Sequence, residues 1–147
     1  MNIQALYETD FNSWIQENIA LLKQARFNEI DTVHLIEELQ DMAKKNRNEL
    51  INRLVILIAH LLKWQYQPLR QGNSWRFTID EQRDQIGAGL LEEYPSLKLF
   101  LSEAIEKSYQ RAVKLAAKET GLKQSSFPMN CPYDENQLMD EDFYPTN

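Results

Sequence analysis

From Leu54 to Leu62 the sequence reads Leu-Val-Ile-Leu-Ile-Ala-His-Leu-Leu, nine residues that are apolar except for one histidine. No other segment is so free of polar breaks. Around Val55 to Leu62 the apolar side chains spread over most of a helical circumference, which is the pattern of a helix enclosed by neighbours rather than lying on a surface. At nine residues the run falls far short of the roughly 20 that span a bilayer. It is expected to be the core of a helical protein, with no membrane span.

The pattern extends upstream. Leu35, Ile36, Leu39, Met42 and Ala43 lead into Leu50, Leu54, Leu57, Ile58 and Leu61 with the phase of a 3.6-residue repeat. The polar stretch Lys44 to Glu49 interrupts this stripe with neither Gly nor Pro, so one long or gently kinked helix is expected from Asp31 to Gln67. Asp31 is suited to cap it, because a carboxylate accepts first-turn amides and sits well at the positive end of the helix dipole. Pro68 stops it.

Around this central element, Thr9 or Asp10 is expected to start a helix ending near Arg26, with a short lead-in over Met1 to Glu8 and an apolar stripe of Phe11, Trp14, Ile15, Asn18, Leu22 and Ala25. After Gly72-Asn73, either Ser74 or Thr78 can cap the next helix, and Thr78 with Glu81 fits a capping box. Gly87 and Gly89 weaken that helix and point to a close helix crossing or a bend. Pro95-Ser96 opens a last long helix with a narrow seam at Leu97, Leu101, Ala104, Ser108, Ala112 and Leu115, ended by Gly121. Beyond it, Phe127-Pro-Met-Asn-Cys-Pro-Tyr133 and Phe143-Tyr-Pro145 are too aromatic for a disordered tail and too rich in proline for a long helix.

These elements define an all-α, up-and-down bundle of four to five helices with one long central helix. A single domain over residues 1–147 is expected, with the bundle in 1–121 and an irregular C-terminal arm, 122–147, packed along it. A chain of 147 residues can bury a core large enough to fold unaided. The lone cysteine, Cys131, cannot form an internal disulfide. The first residues lack a basic stretch followed by an apolar core, so a cytosolic location is expected.

Several motifs resemble one family. Tyr7-Glu-Thr-Asp-Phe11, Asp31 with His34-Leu-Ile-Glu-Glu38, and His60-Leu-Leu-Lys-Trp64 with Gln67-Pro68 carry the resemblance. So do Ser74-Trp75, Thr78-Ile79, Gln82-Arg83, Pro95-Ser-Leu97, Glu119-Thr-Gly121, Phe127-Pro128 and Cys131-Pro-Tyr133. Over nearly its whole length the chain resembles a bacterial family, abundant in cyanobacteria, known as domain of unknown function twenty-nine. The resemblance implies an all-helical fold in a bacterial cytosol and no established activity, so it supplies no catalytic residues.

Two sets of polar residues invite a chemical reading. His34 and Glu38 lie four apart on one side of the central helix, near Asp31 and Glu37, and offer two metal ligands, too few for a site alone. The alternative is that His34 pairs with Glu38 on an acidic face. A continuous helix would separate His34 from His60 by about 39 Å, so they share no ion within one chain. The second set is His60, Lys63, Trp64 and Gln67 along one helix edge, continuing into Arg70, Trp75, Arg76 and Arg83. No acidic residue occurs between Glu49 and Asp80, whereas Arg53, Lys63, Arg70 and Arg76 do, in a chain of net charge -6. Such a cationic and aromatic cluster can take a phosphate, a carboxylate ligand or an acidic peptide, unless the rings are core residues and the cations are solvated or paired within the chain. Arg83 lies in an apolar stripe and should meet a carboxylate, on the central helix by preference, since a buried guanidinium is costly unless paired.

Nucleophilic catalysis is poorly supported, with Cys131 ahead of a proline and no histidine near it in sequence. No cofactor is expected, as Gly87-Ala-Gly89 lacks the lysine and spacing of a phosphate loop. The favoured reading is a small interaction module, binding a protein partner or forming a homo-oligomer through Lys63 to Arg76. A metal-dependent hydrolase using His34 and Glu38 is one alternative. A nucleic-acid or phosphate-ligand binder is another, with nucleic acid disfavoured by the acidic balance.

Overall fold

A computed structural model describes residues 2–146. The described residues are helical with no strand, and six α-helices follow one another: α1 (Ile3–Thr9), α2 (Phe11–Lys23), α3 (Thr32–Tyr66), α4 (Asn73–Asp84), α5 (Leu101–Thr120) and α6 (Glu135–Met139). The expected all-α fold with one long central helix is therefore what the chain adopts. Among the described residues no helix is long and apolar enough to cross a membrane. Contacts divide the chain into two compact units, residues 1–45 and 46–147.

The first unit holds α1, α2 and the start of α3. Its opening residues are helical rather than a lead-in, because Asn2 caps α1 by accepting the amide of Ala5 at 2.9 Å. Asp10 then caps α2, accepting the Ser13 amide at 3.2 Å and the Ser13 hydroxyl at 2.7 Å. At the far end of α2 the chain closes in a Schellman turn, with Arg26 N–H bonded to the Leu21 carbonyl at 2.9 Å and Ala25 N–H to that of Leu22 at 3.0 Å. This places Ala25 at φ 58°, in the left-handed region that favours glycine. Asp31 caps the following helix as expected, its carboxylate accepting the His34 amide at 3.4 Å.

The second unit contains almost all of the core. Of the buried apolar residues among those described, only Trp14 lies outside it. Leu54, Leu57, Ile58, Leu61 and Leu62 of α3 are fully buried, packed with Ile79 and Ile86, with the seam Leu101, Ala104, Ser108 and Ala112 of α5, and with Phe127, Tyr133 and Leu138 of the C-terminal segment. Helix α4 begins at Asn73, so Thr78 is an interior residue whose hydroxyl donates to the Ser74 carbonyl at 3.2 Å, not a cap. Gly87 and Gly89 fall in a widened, π-helical stretch, Gln85–Leu91, and a helix does approach at the first of them. A Cβ at Gly87 would sit 3.5 Å from Met139 Cε, so it is the C-terminal segment that approaches here. Pro95–Phe100 forms a 3-10 turn ahead of α5, and Gly121, at φ 77°, ends α5 as the sequence indicates.

Residues 122–146 wrap the second unit. Tyr109 Oη donates to the Pro128 carbonyl at 2.6 Å and Tyr133 Oη to Gln65 Oε1 at 2.8 Å. Asp134 and Gln137 form a reciprocal capping box that starts the short helix α6 inside this irregular segment.

Candidate functional site

The cationic and aromatic cluster lies in the second unit, and the chain itself fills it. His60 is half-buried. Its Nδ1–H donates to the Ile56 carbonyl at 2.9 Å, and burial pushes its pKa below the ordinary 6.5. Lys63 is buried and neutralised, its Nζ 2.8 Å from Glu119 Oε2 and 4.9 Å from the centre of the Trp75 ring. Trp64 is buried against Tyr144, with ring centroids 4.9 Å apart. The Arg76 guanidinium lies over both rings, 5.3 Å from Trp64 and 4.8 Å from Tyr144. Gln67 and Trp75 are half-buried, and Arg70 is exposed.

Arg83 departs most from expectation. Only 3% exposed, it meets no carboxylate of the central helix; Nε–H donates to the Leu138 carbonyl at 2.8 Å and Nη2–H to that of Gln137 at 3.0 Å. The physical reason lies in α6. The last carbonyls of a helix have no intrahelical donor and carry the negative end of its dipole, so a buried guanidinium satisfies both at once. Nη1 has no acceptor among the described residues. Tyr144 completes the fastening, its ring 5.6 Å from the Arg83 guanidinium and its hydroxyl donating to Asp80 Oδ1 at 2.6 Å. Burial and that bond hold the Tyr144 hydroxyl protonated, with its pKa raised to about 12. What looks in sequence like a binding surface is in large part the seat of residues 137–144.

The first unit carries a separate polar network. Asp31, 1% exposed, accepts the indole N–H of Trp14 at 2.9 Å and His34 Nδ1–H at 2.6 Å on the same oxygen. Its own amide donates to Asn18 Oδ1 at 3.0 Å. Burial alone would raise the Asp31 pKa, but the bonds from Trp14 and His34 outweigh it and hold the carboxylate below its ordinary range. The expected His34–Glu38 pair does not form. The Tyr7 ring stacks on His34 at 3.9 Å, and its hydroxyl donates to Glu38 Oε1 at 2.6 Å, so a residue of α1 takes the carboxylate one turn away. Among the described residues no group of three or more His, Cys, Asp or Glu side chains is placed to hold a metal ion.

A recess of about 530 Å³ lies between α5 and the C-terminal segment, where Cys131 stands near Glu106 and Tyr109. The thiol donates to the Tyr133 carbonyl at 3.5 Å, and burial raises its pKa, the opposite of what a nucleophilic thiolate needs.

A third feature escaped the sequence. Ile36, Leu39 and Met42, which periodicity assigns to the core, are 50%, 61% and 63% exposed. Phe11, Ile19, Leu22, Phe27 and Val33 are exposed as well, so among the described residues eight of the thirteen exposed large apolar side chains fall in the first unit. Among the described residues of that unit, only Trp14, Asn18 and Asp31 are buried. Periodicity marks an apolar face but carries no information on what covers it.

The fold and these sites define an all-helical protein that fastens its own C-terminal segment with a buried arginine and leaves an apolar helical face open. The chain belongs to the family described as Domain of unknown function DUF29, whose model matches residues 6–144. No curated protein and no solved structure matches it.

Proposed function

We propose that this chain is a cytosolic helical interaction module that docks through the apolar face of its first unit. One observation carries this reading: the eight exposed apolar side chains concentrated in residues 1–45, against a single buried one, Trp14. Large apolar side chains left exposed to water and concentrated in one part of a fold mark an interaction site. The sequence-based surface at Lys63 to Arg76 supports docking less well, because Lys63 and Trp64 are buried and Arg76 lies on the chain's own rings. Of that set, Arg70 is an exposed cation without such a ring contact.

The test is recovery of the full-length tagged chain from its native host after mild cross-linking. A specific associated polypeptide, whether another protein or the chain itself, is expected with the wild type and with Arg70→Glu, and is expected to be lost with Leu39→Glu. Loss with Arg70→Glu and retention with Leu39→Glu would overturn the reading and return the surface to the cationic cluster.

A further inference from the structure

We infer that the outer side of α5 carries a docking row for the phosphate backbone of double-stranded nucleic acid, a surface separate from the apolar face proposed above. Lys107, Arg111, Lys114 and Lys118 are all exposed. At 3.6 residues per turn, their steps of four, three and four bring them within about 60° of one another round the helix, in a line about 17 Å long. Arg47 of α3 joins the N-terminal end of this line: its guanidinium lies 5.0 Å from the centre of the Phe100 ring, and the Lys107 ammonium lies 5.5 Å from the same ring. The chain has 22 acidic residues against 16 basic ones, so a row of unpaired cations is not what composition alone would leave. Yet among the described residues no carboxylate stands within ion-pair distance of Arg47, Arg111, Lys114 or Lys118. Arg111 donates instead to Asn52 Oδ1 at 3.0 Å.

The carboxylates of neighbouring residues are engaged or lie off the line. Glu103 pairs with Lys107 at 3.8 Å, at one end of it, and Glu119 is bonded to Lys63 at 2.8 Å. Glu49 of α3 is taken by Arg53. Glu106 lies about 100° round the helix from Lys107, where it lines the recess beside Cys131. Charges more than about 8 Å away are screened at physiological salt, so the net charge of -6 does not decide what this row meets. The occupant follows from the spacing and from what the row lacks. A cation every step of about 4.5–6 Å matches a polymer with a charge in every repeat, and the line spans the rise of about five base pairs. An acidic peptide carries no such regular charge along its length. Helix α5 has no exposed aromatic ring on which the bases of a single strand could stack. It also offers a bilayer no exposed apolar anchor, Leu115 being half-buried.

The experiment is fluorescence anisotropy of a labelled, mixed-sequence DNA duplex of about 20 base pairs titrated with the full chain, repeated from about 50 to 200 mM salt. Wild type is expected to bind with a slope of log affinity against log salt of about -4, the release expected when four or five phosphates are neutralised. Lys114→Gln/Lys118→Gln, with helicity unchanged by circular dichroism, is expected to bind about tenfold or more weakly at the low-salt end and to lose about two units of that slope. Arg70→Gln, an exposed cation outside the row, is expected to leave both unchanged. No binding of the duplex at about 50 mM salt, or the same affinity and slope for the lysine variant, would overturn the proposal. So would tighter binding to the single strand, to polyglutamate or to vesicles containing phosphatidylserine, each of which gives the row a different occupant.

Discussion

Replacing Arg83 by methionine should release the C-terminal segment without unfolding the core. The arginine makes two charge-assisted hydrogen bonds, to the carbonyls of Leu138 and Gln137 at 2.8 and 3.0 Å. Each such bond contributes about 1.5–3 kcal/mol net, hence about 3–6 kcal/mol for the two, and removing the buried Nη1 that lacks an acceptor recovers about 1–2 kcal/mol. The side-chain stem is retained by a residue of similar length, so loss of packing adds little. A net weakening of about 2–4 kcal/mol is expected, confined to the segment the arginine holds. Converted at about 1.4 kcal/mol per factor of ten, amides of residues 133–146 should exchange with solvent about 30- to 700-fold faster than in wild type. The assay is hydrogen exchange read by mass spectrometry, with the amides of Leu54 to Leu62 as the internal reference. Unchanged protection of 133–146, or equal loss across every helix, would refute the assignment of Arg83 as the fastening of α6.

Three further outcomes follow from the geometry. Ala25→Gly removes the strain of a non-glycine residue at φ 58° and should stabilise the first unit by about 0.5–1 kcal/mol after the entropy glycine adds to the unfolded chain, read as slower exchange across 11–30. Asp31→Ala strands the Trp14 indole N–H and the His34 ring and should destabilise that unit by about 2–3 kcal/mol; because the folded carboxylate is held below its ordinary 3.8, its contribution is full above that value and vanishes as pH falls through the lowered one, which the Trp14 indole resonance would report. His60 is depressed by burial, so its neutral form is favoured by folding: stability of the second unit is full above about 6.5 and falls as pH drops below it, and His60→Gln should flatten the wild-type slope between pH 6.5 and 5 in thermal unfolding.

Much of the fold is readable from residue types. The apolar circumference at Leu54 to Leu62, the stop at Pro68, the cap at Asp31 and the left-handed Gly121 each have a local physical cause, and each stands where that cause puts it. The failures share a different cause. Thr78 and Glu81 satisfy a capping pattern, but Asn73 starts the helix earlier and the hydroxyl of Thr78 turns to an interior carbonyl. Arg83 was legible as a buried cation, yet its partners are backbone carbonyls of residues 137 and 138, and backbone acceptors leave no mark in a sequence. Glu38 is a suitable partner for His34 by spacing, until Tyr7 arrives from another helix and takes it. Ile36, Leu39 and Met42 carry the same periodicity as Leu54 and Leu57, because an exposed apolar stripe and a core face obey one pattern.

On the proposed reading, the open face of α3, and not the cluster around Lys63 to Arg76, is where another polypeptide docks. A photo-reactive phenylalanine analogue placed at position 39 or at position 70 of the full chain, activated in the native host, tests it directly. A discrete cross-linked product is expected from position 39 and none from position 70. A product from position 70 with none from position 39 would contradict it.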